Sequence, residues 1–172
     1  MKNTCRAGLG FALVETSCCL KCVLHFNTGG SGLFMQKLFH IVVADDDVDD
    51  QELVQQAFSD AKVKFRLTKV FDGIQLLDFL LKRQKFRDNP DANPNLILLD
   101  LNMPLMDGFE ALNEIRSSPK LRDIPVYVIT TSNAHSDKEK ALKYGATGFY
   151  RKGASSKDLK RIVKEVCFDC FA

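Results

Sequence analysis

Four short, mostly apolar runs in this sequence lead into residues that can do chemistry. Ile41-Val42-Val43-Ala44 runs into Asp45-Asp46-Asp47, and Leu96-Ile97-Leu98-Leu99 ends at Asp100. Val126-Tyr127-Val128-Ile129 ends at Thr130, with Thr131 and Ser132 beyond, and Gly148-Phe149-Tyr150-Arg151 is followed by Lys152. Carboxylates crowded into one place repel each other unless something compensates them. A hard cation with oxygen ligands is the natural compensation, and Mg²⁺ suits one or two carboxylates plus phosphate oxygens. A single Asp after a strand is commonly no more than a cap or a turn residue. Acids, a hydroxyl and a lysine at four such ends point instead to one built site.

For these groups to meet, the four runs must be neighbouring strands. The sequence between them supports that. Leu53, Val54, Ala57, Phe58 and Ala61 recur at helical spacing, and Lys64 to Val70 alternates with period two, as a half-buried strand does. Ile74, Leu77, Leu80 and Leu81 mark a second helix, followed by a polar loop with Pro90 and Pro94. The unbroken apolar run 96–99 suits a strand covered on both faces. Asp107 is placed to cap a third helix carrying Ala111, Leu112 and Ile115. A fourth helix is expected from Ala134 to Tyr144, stopped by Gly145, and a fifth along Leu159, Ile162, Val163 and Val166. Five strands alternating with five helices imply an α/β fold with a parallel sheet, helices on both faces and right-handed crossovers. No G-x-G-x-x-G is present. The flavodoxin-like doubly wound order 2-1-3-4-5 fits best, and its ligands bind at the carboxyl ends of strands 1 and 3.

Composition bounds the rest. A length of 172 residues suggests one domain. The 45% hydrophobic content is enough for an ordinary core, and no apolar run approaches the ~18 residues that span a bilayer. The net charge of +2 comes from residues 1–34, which hold Lys2, Arg6 and Lys21 against Glu15; the remainder is neutral. A neutral body argues against broad electrostatic binding to nucleic acid. The text changes character near residue 35. Residues 1–34 carry Cys5, Cys18, Cys19, Cys22 and the Gly29-Gly30-Ser31-Gly32 stretch, without a sustained period. They read as a poorly ordered extension, and Met35 as a native start for a domain at 35–172. A secretory signal fits poorly, because glycines interrupt the apolar run Ala7–Val14 and no convincing cleavage site follows. The pairs Cys19-Leu-Lys-Cys22 and Cys167-Phe-Asp-Cys170 have zinc-like spacing, but they stand at opposite ends of the chain. Reduced thiols in a cytoplasmic protein are the simpler reading.

Four segments together resemble response-regulator receiver domains. They are Ile-Val-Val-Ala-Asp-Asp-Asp at 41–47, Leu-Ile-Leu-Leu-Asp-Leu-Asn-Met-Pro-Leu-Met-Asp-Gly at 96–108, Ile-Pro-Val-Tyr-Val-Ile-Thr-Thr-Ser at 124–132, and Gly-Ala-Thr-Gly-Phe-Tyr-Arg-Lys at 145–152. The resemblance runs from about Leu38 to about Phe168. The long loop at 85–95 is similar to that of single-domain regulators, including phytochrome-associated ones. The resemblance implies that Asp100 accepts a phosphoryl group, with Mg²⁺ held by Asp46 directly, by Asp45 through water, by Asp100, and by the backbone carbonyl of Asn102. It implies that Thr130 is the switch hydroxyl, Phe149 the switch aromatic, and Lys152 the partner of the phosphoryl group. Asp47 lies one place past the usual acidic pair and is left outside the metal set.

The implied donor is a sensor histidine kinase or a histidine phosphotransfer protein, and the implied output is a changed surface on helix 4 and strand 5, read by a downstream protein. Such a chain is a phosphoacceptor switch that assists its own phosphorylation and dephosphorylation, not a dedicated enzyme. A membrane role is not expected. Both a monomer and a homodimer fit the sequence. One departure stands out: Gly153 follows Lys152 where the family usually has proline. A cis peptide there is then disfavoured by ~2.5–4 kcal/mol, and Lys152 is expected to be held less firmly.

Three other readings compete. A phosphatase of the haloacid dehalogenase type would need a second acid two residues past Asp100, where Asn102 stands. A transcription factor would need an output domain; only a few residues follow helix 5, so direct DNA binding is not expected. An inert receiver acting as an interaction module would lack one of the acids or the lysine, and none is missing.

Overall fold

The computed structural model describes residues 38–60, 64–89, 93–153 and 156–171, and within the last helix it leaves the side chains of 156–158 and 167–171 undescribed. The extension at 1–34 and the cysteine pairs therefore lie outside the described residues and side chains. The strands are β1 (Phe39–Ala44), β2 (Phe65–Val70), β3 (Leu96–Leu99), β4 (Val126–Thr130) and β5 (Gly148–Arg151). Alternating with them are α1 (Val48–Asp60), α2 (Gly73–Leu80), α3 (Gly108–Ser117), α4 (His135–Lys143) and α5 (Ser156–Phe171). A short 3₁₀ turn, Gln84–Phe86, adds to the expected elements. The sheet is parallel throughout, in the order β2-β1-β3-β4-β5.

The central strands are apolar on both faces because helices cover both. Val42, Ala44, Ile97 and Leu99 pack with Leu76 and Phe79 of α2 and Leu112 and Ile115 of α3. Ile41, Val43, Leu96 and Leu98 face the other way, onto Val54 and Phe58 of α1 and Ile162 and Val163 of α5. Two residues expected on helix faces are off them: Leu53 and Ile74 are 42% and 44% exposed. The buried stripes are Gln51, Val54, Ala57 and Phe58 on α1, and Gly73, Leu76, Leu77, Phe79 and Leu80 on α2. One residue of offset turns a side chain by ~100° on a helix, which carries Leu53 and Ile74 away from the core. The expected alternation along β2 is not visible either. Residues 65–69 are all half-buried, as an edge strand with only one neighbour allows.

The helix ends follow sequence chemistry. Asp107 caps α3 in a reciprocal box with Glu110: its carboxylate accepts from the Glu110 N–H at 2.8 Å, and the Asp107 N–H donates to Glu110 at 3.1 Å. α4 ends on Gly145 at φ +91°, with Gly145 N–H bonded to Leu142 O and Ala146 N–H to Ala141 O, the two bonds of a Schellman cap. Arg116 fastens this end of α4 to α3, donating to the Gly145 carbonyl at 2.8 Å.

Gly108 begins α3 against the back of β3. A Cβ there would meet the Asp100 carbonyl oxygen at 2.2 Å and Leu101 Cα at 2.8 Å. Alanine favours a helix by about 1 kcal/mol over glycine, but overpacking against fixed backbone typically costs about 1–3 kcal/mol. The clash should win. Gly108→Ala is expected to destabilise the protein in urea denaturation; unchanged or raised stability would show that the Asp100 backbone is not held against α3.

Candidate functional site

Strand register brings the acids together. Ala44 pairs with Leu99, so the next residues, Asp45 and Asp100, emerge side by side where β1 and β3 end. Both are almost fully buried, at 4% and 5% exposed, whereas Asp46 is exposed. One oxygen from each of Asp45, Asp46 and Asp100 lies within 4.8 Å of the others. Lys152 comes from the next strand but one, where the pairing of Thr130 with Arg151 puts it just past β5. Its N–H donates to the Thr130 carbonyl at 2.7 Å. Its ammonium reaches Asp45 at 2.7 Å, Asp50 at 2.8 Å and Asp100 Oδ1 at 3.5 Å.

One ammonium is thus shared among three carboxylates. Each acid receives only part of its compensation, while the lysine is surrounded. Their proton affinities reflect this. Burial pushes the Asp45 carboxyl up to about 6, more than Lys152 and the Asp47 N–H pull it down, and the nearby Asp100 charge adds to the rise. Burial alone would lower Lys152, but hydrogen bonds to Asp45 and Asp50 and the Asp100 charge outweigh it and hold the lysine above its usual range. Lys152 contacts three carboxylates with Gly153 beside it, and the Lys152–Gly153 peptide is trans, as expected for a non-proline bond.

The Asp100 carboxylate is held by one oxygen only. Oδ2 accepts from the Asn102 N–H at 3.0 Å, while Oδ1 is buried without a hydrogen-bond donor, only the more distant ammonium facing it. An orphaned buried carboxylate oxygen is costly. An all-oxygen donor set with an unsatisfied buried member fits a hard cation such as Mg²⁺. Asp45, Asp46 and Asp100 are the side chains that would hold it.

The other expected residues are not all beside this cluster. Thr130 is fully buried, and its hydroxyl accepts from the Ser132 N–H at 3.3 Å. Ser132 in turn donates its hydroxyl to Asp137 of α4 at 2.5 Å. Phe149 is half-buried and stands apart from the acids, packed with Leu101, Val128 and Ala141. Asp47, left outside the metal set, turns the chain into α1: its carboxylate accepts from the Asp49 N–H at 2.8 Å. A cavity of about 220 Å³ adjoins the acids, lined by Val54, Leu98, Ile129 and Leu159 as well as by Asp45, Asp50 and Lys152.

Two residues were missed in the sequence. Asp50 is a second short-range partner of Lys152, and in the sequence it is only one more acid in a first helical turn. Gln51 is fully buried and donates to the carbonyls of Asp45 and Val70 at 2.7 and 3.0 Å, tying together the ends of β1 and β2. Within an acidic helical turn it carried no signal.

Asp46 makes no hydrogen bond or ion pair among the described residues, so its charge only adds to the repulsion. Without divalent ions, Asp46→Ala should unfold within about 0.5 kcal/mol of wild type, as ordinary surface changes do. It should also lose the stabilisation that Mg²⁺ gives wild type. A capping residue would instead cost ~0.5–2 kcal/mol. Clear destabilisation in the metal-free protein with an intact Mg²⁺ response would show that Asp46 is a turn residue.

The comparisons with known proteins agree with this geometry. The response regulator receiver domain model matches residues 41–164. The response regulator Rcp1 of Synechocystis sp. is 34% identical over 126 residues, covering 73% of this chain and 84% of Rcp1. The crystal structure of a phosphorylated cyanobacterial phytochrome response regulator, RcpA, superposes with a TM-score of 0.70 at 32% identity, covering 76% of this chain and 91% of that one. The Mn²⁺-bound form of Rcp1 gives 0.69 at 33% identity, over 75% and 91% of the two chains. These relatives match the phytochrome-associated subgroup that the loop at 85–95 suggests. With the flavodoxin-like order of its sheet and its model match over 41–164, the chain belongs to the response regulator receiver domain family of two-component systems.

Proposed function

We propose that this protein is a phosphorylation switch that takes a phosphoryl group onto Asp100 from a phosphohistidine on a sensor kinase or phosphotransfer protein. The observation that carries this reading is the buried, unpartnered Oδ1 of Asp100, set among two further acids and facing Lys152. A carboxylate oxygen is a competent nucleophile for acyl-phosphate formation. In the transfer, Asp100 attacks phosphorus as the P–N bond of the phosphohistidine breaks, and the ring, already protonated on its other nitrogen, departs as neutral imidazole. The new phosphoryl oxygens need their charge neutralised. Asp45, Asp46, Asp100 and the Asn102 carbonyl would hold Mg²⁺, which would supply part of that neutralisation. Lys152 supplies the rest by exchanging its contact with Asp100 for one with the phosphoryl group.

The reading extends to the output. Thr130 turns from the Ser132 N–H toward a phosphoryl oxygen, and Phe149 moves into the space it leaves. That changes the surface of α4 and β5 read by a downstream protein. α4 suits this task because Ala141 is its one fully buried residue and its N-cap, Ala134, has no capping side chain. The switch resides in residues 35–172, with 1–34 dispensable, and acts in the cytoplasm. No helix among the described residues is long and apolar enough to cross a membrane.

Incubation with Mg²⁺ and acetyl phosphate should label wild type at one site and leave Asp100→Asn unlabelled. Undiminished labelling of that variant, with the added mass mapped elsewhere, overturns the assignment.

A further inference from the structure

A lysine ammonium carries three N–H donors on a flexible four-carbon stem. Three carboxylates surround that of Lys152, and they come from different parts of the fold. Asp45 follows β1 and Asp100 follows β3, whereas Asp50 belongs to the first turn of α1. The stem itself does little to aim the ammonium. Gly153, next in the chain, brings no side chain, and the cavity of about 220 Å³ lies against Lys152, Gly153 and Leu159. A stem beside open space is not wedged by packing, so the direction of its head is set by its ion pairs.

The three pairs differ in what the proposed reaction does to them. Asp100 gives up its contact when it takes the phosphoryl group. Asp45 would turn toward the cation. Asp50 is not one of the acids whose oxygens converge within 4.8 Å of one another, so it stays outside the metal set. Of the three, its carboxylate alone is open to the ammonium before, during and after the transfer. The contact is short, 2.8 Å against 3.5 Å for Asp100. Asp50 is half-buried and the lysine side chain only 13% exposed, so water and salt screen the pair less than they would an exposed one.

We propose that Asp50 is the positioning residue for Lys152: it holds one N–H of the ammonium from α1, so that another points at the phosphoryl group arriving on Asp100. The inference rests on the proposed transfer to Asp100, and Asp50 acts on that transfer only through the lysine. Its charge alone would have the opposite effect. An anionic phosphodonor approaches a group of acids held against one lysine, and a further carboxylate repels it. Removing Asp50 should therefore speed the reaction if the residue is only one more negative charge, and slow it if the residue aims the lysine. The sign of the change decides between the two.

The test is the rate of phosphorylation over a range of acetyl phosphate concentrations at saturating Mg²⁺. Asp50→Ala suits a helical position and removes the carboxylate. Its maximal rate should fall by about tenfold, within the ~10²-fold that a small misplacement can cost. Its KM for acetyl phosphate should be no higher than that of wild type, since one repelling charge is gone. In a Lys152→Met background the same substitution should slow the reaction no further, because residues acting through one contact are not additive. An unchanged or raised maximal rate for Asp50→Ala overturns the inference and leaves Asp50 a source of repulsion. Equal slowing in both backgrounds also overturns it, by placing the effect in α1 and not in the lysine. Either result leaves the phosphoacceptor reading standing, whereas a wild type that takes up no phosphoryl group sinks that reading and the inference together.

Discussion

Carboxylates that fold into one place must be compensated, and here four of them gather where there is one ammonium. Lys152 touches Asp45, Asp50 and Asp100 but not Asp46, so the cluster stays short of positive charge. The raised proton affinity of Asp45 and the unsatisfied Asp100 oxygen are two signs of the same deficit. A protein that minimised its energy without ligands would not retain such a group of acids. The deficit makes sense as a reserve of binding for a divalent cation, whose charge in turn offsets that of an incoming phosphoryl group. Metal site, nucleophile and lysine are then parts of one charge balance.

The fold exists, in this view, to hold that imbalance still. Parallel register sets Asp45 beside Asp100, and the β4–β5 pairing delivers Lys152 to both. Apolar packing on both sheet faces supplies the rigidity, and Gly108 lets α3 lie directly against the Asp100 backbone. Gln51 closes the ends of β1 and β2 beneath the acids. The opposite is true of α4. Its first turn is linked to Thr130 through Ser132 and Asp137, and its other end is held by Arg116 and by the stacking of Lys140 over Phe109. In the proposed switch, a lightly buried helix tied to the Thr130 hydroxyl by two hydrogen bonds moves when that hydroxyl moves.

Much of this was legible in the residues. The strand-end acids, Thr130 and Lys152 follow apolar runs that read as strands, and alternation with helical stripes implied a parallel sheet, in the flavodoxin-like order that suits five strands without a G-x-G-x-x-G. Asp107 and Gly145 announced helix ends through their own chemistry. What stayed hidden depended on contacts between distant segments. Asp50 looked like any acid in a first helical turn, and only the fold brings Lys152 to it. Gln51 looked like a solvent-facing amide. Leu53 and Ile74 sat one position off the true stripes, an error that periodicity alone does not correct in short helices. The backbone of Leu105, at φ +65°, has no signature in residue type, since leucine is not a residue that favours a positive φ.

A cation must be drawn to the uncompensated acids for this charge balance to hold. Titration of the metal-free wild-type protein with Mn²⁺, followed by the loss of the free-ion electron paramagnetic resonance signal, measures this directly. One Mn²⁺ should bind per chain and be displaced by Mg²⁺. A free-ion signal that the protein does not diminish would contradict the reading of Asp45, Asp46 and Asp100 as a metal-dependent phosphoacceptor site.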